Sequence, residues 1–181
     1  MIESREELKE YIKEDQKYLD SYPTKRRFRL WISGDHLYQI RKYMIFLRKE
    51  EYYFNKKGSL YKVPELFYAR KKNRLGNKLG FYIRPNVLGK GATVFHHGNI
   101  IIHGNVKIGE NCKLHGGNCI GNNGINNGTP VIGNSVDIGF GAKIIGSIRI
   151  ADNVKIGAGA VVVKSCEHEG ATLVGVPAIE K

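Results

Sequence analysis

The sequence predicts a mainly β chain: a parallel β-helix of six-residue repeats preceded by an α-helical segment. Three observations carry that prediction. Isoleucine or valine recurs at every sixth residue, at Ile132, Ile138, Ile144, Ile150, Ile156 and Val162. A second apolar residue follows four places after each of the first five, at Val136, Ala142, Ile148, Val154 and Ala160. Gly or Ala follows the aliphatic residue in four of these hexads. A period of six is neither the 3.6 of an amphipathic helix nor the 2 of an alternating strand. It is the period of a coil built from short flat strands and tight corners. The aliphatic residue points inward, and Val or Ala suits the corner, where a larger residue would collide with its neighbours. The Gly and Asn residues between them supply left-handed backbone angles that β-branched residues avoid.

The chain has 181 residues, enough for one domain with an appendage. Composition changes at Phe81, which places a helical segment at residues 1–79 and the repeat domain at 80–181. No run of about twenty apolar residues exists, so no membrane span is expected. The opening residues are charged throughout and lack the apolar core of a signal peptide. With three cysteines and no CxxC pair, reduced thiols in a cytoplasmic protein are expected. Cys112 falls on an inward corner, where packing accounts for it. The net charge is +12, of which +9 lies in residues 1–79. A basic segment suits nucleic acid, an anionic surface or an anionic small molecule. No zinc-finger or RNA-binding motif supports nucleic acid.

Taken in order, residues 3–19 predict a helix with Leu8, Tyr11, Ile12 and Leu19 on one face. Residues 22–34 predict a basic, aromatic connector in which Phe28, Leu30 and Ile32 alternate with Arg27, Arg29 and Trp31. Asp35 is a helix N-cap. The helix that follows is expected to reach Asn55, with Leu37, Ile40, Met44, Leu47 and Phe54 inward. Lys57-Gly58-Ser59 breaks it. Another helix is expected from Pro64 to before Gly76 or Gly80, with Arg70, Lys71, Lys72, Arg74 and Lys78 near its C-terminus, where cations are favoured. Leu88, Val94 and Ile100 then stand six apart. After a two-residue slip the period resumes at Ile102, Ile108, Leu114 and Ile120, with corners at Val106, Cys112 and Asn118. It lapses at Gly121–Thr129 and returns at Ile132. Such a lapse is an excursion from one edge of the coil.

His96-x-Gly98-x-Ile100-Ile101-Ile102, Ile108-Gly109-x-Asn111-Cys112, the hexads from Ile132 and the closing Gly175-Val176-Pro177-Ala178 together make residues 80–181 resemble the serine acetyltransferase-like branch of the hexapeptide-repeat acyltransferases. The resemblance implies a left-handed coil, acetyl-CoA as donor, a hydroxyl acceptor, and a homotrimer with active sites between subunits. The helical segment could add a second level of association. No metal is expected, because no histidine shows a ligand spacing with carboxylates or cysteines.

Acetyl transfer to a hydroxyl needs a base, because an alcohol is a poor nucleophile at neutral pH. Six histidines could serve. His36 and His168 lie outside the repeats and are expected at the solvent. His103 and His115 follow inward aliphatic residues and are expected to face outward. His96 alone fits the family's catalytic position, and His97 could assist it. The resemblance places pantetheine near Gly121, Gly141, Ala142 and Ala158, and the nucleotide phosphates near Lys164. Phe95, Arg84 and Thr129 stand where serine acetyltransferases carry Asp or His. On that ground the expected acceptor is a saccharide hydroxyl, as in capsule or exopolysaccharide assembly. Phe95 would offer a stacking face, Arg84 would meet an anionic group, and Thr129 and His97 would line the acceptor site. L-Serine O-acetylation is the alternative, and a non-catalytic scaffold the second alternative.

Overall fold

The computed structural model describes residues 1–181. Its N-terminal segment is four helices. α1 (Arg5–Asp20) opens on a capping box, in which Ser4 Oγ accepts from the Glu7 backbone N–H and Glu7 accepts from the Ser4 backbone N–H. α2 (Thr24–Ile32) occupies the span expected as a connector. No residue of α2 is buried, so no apolar stripe marked it as helical in the sequence. Pro23 stands just before its first turn, and Asp20 ties it to its neighbours by accepting from both Arg27 and Arg41. α3 (His36–Asn55) starts where expected, with Asp35 Oδ1 accepting from the Leu37 N–H. Ile40, Met44 and Leu47 are buried on it as predicted, whereas Phe54 is exposed and Tyr43 takes a central place instead. A short 3-10 turn (Ser59–Tyr61) leads into α4 (Lys62–Leu79), which begins before Pro64 and runs through Gly76 to end on a left-handed Gly80.

From Phe81 the chain visits three parallel sheets in rotation. The first holds Phe81–Ile83, Ile100–Ile102, Cys119–Gly121, Lys143–Ile145 and Val161–Val162. The second holds Lys107–Ile108, Val131–Ile132 and Arg149–Ile150. The third holds Thr93–Val94, Lys113–Leu114, Asp137–Ile138, Lys155–Ile156 and Thr172–Gly175, closed by the antiparallel Ala178–Glu180. One circuit is three hexads. Ile102 therefore pairs with Ile120, 18 residues on, and Ile144 with Val162, again 18 on. Ile120 pairs with Ile144, 24 on, and the six extra residues fall in the Gly121–Thr129 excursion. Every predicted inward aliphatic position and corner is buried, including Asn118, whose amide donates to the Gly139 carbonyl.

The helices close one end of this stack. A single apolar core runs from Ile40, Tyr43, Met44 and Leu47 into Phe81, Ile83 and the coils beyond. The backbone groups at that open end are met by charge. Arg48, fully buried, donates to the carbonyls of Leu88 (2.8 Å) and Gly89 (2.6 Å). It also pairs with Asp15 (2.7 Å) and Glu51 (2.9 Å). Those carboxylates in turn accept the N–H groups of Gly91 and Asn86. Lys72 pairs with Glu50 and donates to the Ile83 carbonyl. An exposed strand edge invites pairing with another chain, and this cluster covers it.

Candidate active site

Among the corners that lead from the third sheet to the first, one is longer than the rest. Between the third sheet and the first, the chain takes six residues from Leu114 to Ile120 and from Ile138 to Ile144, but eight from Val94 to Ile102. The two-residue slip in the sequence is this corner. It carries Phe95, His96 and His97, with both histidines exposed.

The corners beyond it form a line on the same edge. The Gly116 carbonyl accepts from Gly141 N–H, and the Phe140 carbonyl accepts from Gly159 N–H. A Cβ added at Gly116 would lie 3.4 Å from the His96 carbonyl oxygen, so the line begins at His96. Gly141, Ala142 and Ala158 belong to it. The structure therefore gathers His96, His97, Phe95, Gly141, Ala142 and Ala158 along one edge. It does not bring the rest to them. Arg84, Thr129 and Lys164 lie in the links from the first sheet toward the second, at the next edge of the prism, and Gly121 ends the first-sheet strand that leads into that edge.

One histidine differs from expectation. His36 was expected at the solvent. Its ring is offset-stacked on His96, with centroids 5.7 Å apart and planes at 25°, and meets His97 edge-on at 5.4 Å. α3 begins at His36, and packing of α3 on the first coil brings it there. His115 does face outward, but it pairs with Asp137 at 2.8 Å and packs against Phe95 at 4.6 Å. Phe95 is held from its other side by Tyr18 at 4.8 Å, so it is a packing residue between α1 and the coil and not an open stacking face. The His115–Asp137 pair was legible in principle. Leu114 and Ile138 hold the same phase of the repeat, so their neighbours stack.

No group of three or more His, Cys, Asp or Glu side chains is placed to hold a metal ion. Cys112 is wholly buried beside the Gly133 carbonyl, and burial pushes its thiol up to about 11, which keeps it a neutral, unreactive packing residue. The helical face beside the corner is basic. Lys25, Arg26 and Arg29 of α2 line a groove with Leu30, Ser33 and Asp35.

No protein-family model matches the chain. A serine acetyltransferase of Helicobacter pylori is 35% identical over 121 residues, covering 65% of this chain and 70% of that protein. The chain belongs to the serine acetyltransferase family. A serine acetyltransferase of Synechococcus elongatus is 36% identical over 101 residues, spanning 54% of this chain but only 41% of that protein. Among solved structures, the soybean serine acetyltransferase apoenzyme superposes with a TM-score of 0.77 at 24% identity, over 96% of this chain and 69% of that one, a likeness of fold. A Brucella abortus serine acetyltransferase in complex with coenzyme A gives 0.71 at 26% identity, over 96% of this chain and 65% of that one. A Neisseria gonorrhoeae serine acetyltransferase in complex with serine gives 0.70 at 26%, over 96% and 69%. These relatives overturn the expected saccharide acceptor. The branch is that of enzymes named for serine, and Phe95, the residue on which a sugar was to stack, packs instead against Tyr18 and His115. No helix is long and apolar enough to cross a membrane.

Proposed function

We propose that this chain is an acetyl-CoA-dependent O-acetyltransferase with L-serine as its acceptor, and that His96 is the general base. One observation carries the reading: an exposed histidine stands at the head of a line of small corner residues. Adjacent coils lie about 4.8 Å apart. The line from His96 past Gly116 and Gly141 to Gly159 is therefore three such steps of small residues, crossed at Gly116 and Gly117 by the exposed ring of Phe140, beside which an extended thiol arm can lie. Ala142 and Ala158 flank it. The donor's thioester then meets His96 at one end. The coil is left-handed in this reading, as the family resemblance implies.

His96 takes the proton of the serine hydroxyl as the oxygen attacks the thioester carbonyl, and passes it to the leaving thiolate as the tetrahedral intermediate collapses. Backbone N–H groups of the corners are the donors available to the developing oxyanion. His97 borders the acceptor. Arg84, Gly121, Thr129 and Lys164 reach a His96 site only from a second copy. A homotrimer with sites between copies supplies them: Arg84 and Thr129 beside the acceptor, Gly121 and Lys164 beside the donor.

The test is thiol release from acetyl-CoA with and without L-serine. Transfer with kcat/KM of about 10⁴ M⁻¹s⁻¹ or more, the lower end of ordinary enzymes, supports the reading. Absence of serine-dependent release overturns it.

A further inference from the structure

We infer that His36, from the helical segment, is the positioning residue for His96. This rests on the reading of His96 as the base. A general base must be held within about 0.5 Å and 10–20° of its productive geometry. His96 sits on an exposed, extended corner, and none of the chain's ion pairs or side-chain hydrogen bonds reaches its ring; the carboxylates that find histidines do so at His36, His115 and His168. The ring that stacks on His96 is that of His36, with centroids 5.7 Å apart and planes at 25°.

The backbone of His36 is fixed at a helix start, and its side chain is one-third exposed. His36 is the first residue of α3, and Asp35 stands beside its Nδ1 at 3.4 Å while accepting from Leu37 N–H. Its Nε2 is buried with no hydrogen-bond partner, so no polar contact at that end turns the ring away from His96. The same ring meets His97 edge-on, which bounds the corner from the other side. Offset and edge-on aromatic pairs at these separations are attractive. Their geometry is restrictive, and a small displacement of a catalytic group can cost about 100-fold in rate. α3 is anchored in turn by Ile40, Tyr43, Met44, Leu47 and the buried Arg48. The helical segment is thus part of the active site, since it supplies the surface against which the base rests.

His36→Ala and His36→Phe in the full chain decide this. In His36→Ala, kcat for acetyl-CoA and L-serine should fall about 10–100-fold while both KM values stay within about twofold. In His36→Phe most of kcat should return, because a phenyl ring restores the stack. A second measurement needs no turnover. The His96 Cε1–Hε1 NMR signal, assigned by its loss in His96→Ala, should shift and broaden in His36→Ala and stay near its wild-type position in His36→Phe. An unchanged kcat or an unmoved His96 signal in His36→Ala overturns the proposal, as does equal damage in both variants. If the wild-type chain transfers nothing to L-serine, the proposed function fails and the NMR comparison still decides the positioning. Should His36→Ala not fold by circular dichroism, His36→Gln removes the ring in its place.

Discussion

His96 projects from the one eight-residue corner and takes its restraint from an aromatic neighbour. That sets what its removal does. His96→Ala should cut turnover by about 10²- to 10⁴-fold, the usual contribution of a general base. Coenzyme A should bind the variant as it binds the parent, since the bare corners at Gly141 and Ala158 are untouched. Steady-state thiol release and calorimetric titration with coenzyme A check the two halves; near-parental turnover excludes His96. Cys112 makes a second residue-scale prediction, about pH. Burial raises its thiol from 9.0 to about 11, so the folded state favours the neutral form. The stability from this group is intact below pH 9, where the unfolded chain also holds the proton. It is lost as pH rises from 9 to 11, by an amount on the order of 3 kcal/mol. Urea unfolding across that window should show the loss, and Cys112→Ala should remove it. An identical pH profile in the variant contradicts the assignment.

The elements rest on two kinds of contact, of which the sequence displays one. The hexads were legible because a single physical rule, an inward aliphatic residue every sixth place, repeats without exception from Ile132 to Val162. α3 was legible because Asp35 is a side-chain cap with an apolar stripe behind it. α2 was not, since none of its residues is buried and its alternation of Phe28, Leu30 and Ile32 mimics an extended run. The charged clasp was not either. Arg48, Asp15 and Glu51 look like solvent-facing residues of two helices until α1 and α3 meet over the first coil. The corner of His96 showed in the sequence only as a slip in register, and His36 gave no sign of its place there because only tertiary packing joins α3 to that corner. Two changes probe this scale. Arg48→Met leaves two carboxylates buried without a cation and two strand-edge carbonyls without a donor, so it should cost about 3–5 kcal/mol. Gly76→Ala sets two effects against each other. Alanine is better than glycine inside a helix by about 1 kcal/mol. Its Cβ, however, would lie 2.7 Å from the Phe81 carbonyl oxygen and 3.1 Å from the ring of the wholly buried Tyr43. Neither can move freely, and overpacking costs about 1–3 kcal/mol. The clash wins, and Gly76→Ala should lower the melting temperature. A rise in melting temperature would show that α4 can slide away from the first strand.

At the scale of the whole molecule, the proposed site is divided between two edges of one prism, and the outer face of the first sheet lies between those edges. Tyr82, Ile101 and Cys119 are paired in register across three successive coils of that face, followed by the exposed Lys143 and then Val161, so the apolar stretch is its first three coils. Tyr82 and Ile101 are 56% and 49% exposed, which is much apolar surface for a strand face open to water. The outward residues of the second sheet are Lys107, Val131 and Arg149, so no comparable stripe exists there. The first sheet is accordingly the face on which copies should meet. Its burial would turn the His96 edge of one copy toward the edge of another that bears Arg84, Thr129 and Lys164. Ile101→Lys places a charge at the centre of that stripe without touching the core, because its neighbours Ile100 and Ile102 point inward and are fully buried. The variant should therefore fold with a normal circular dichroism spectrum, pass from trimer to monomer by light scattering at micromolar concentration, and lose serine-dependent thiol release together with the trimer. Loss of the trimer with full activity retained would mean that one chain completes its own site, and Arg84, Thr129 and Lys164 would then have no part in it. A parent protein that is already monomeric would remove the trimer and the divided site at once.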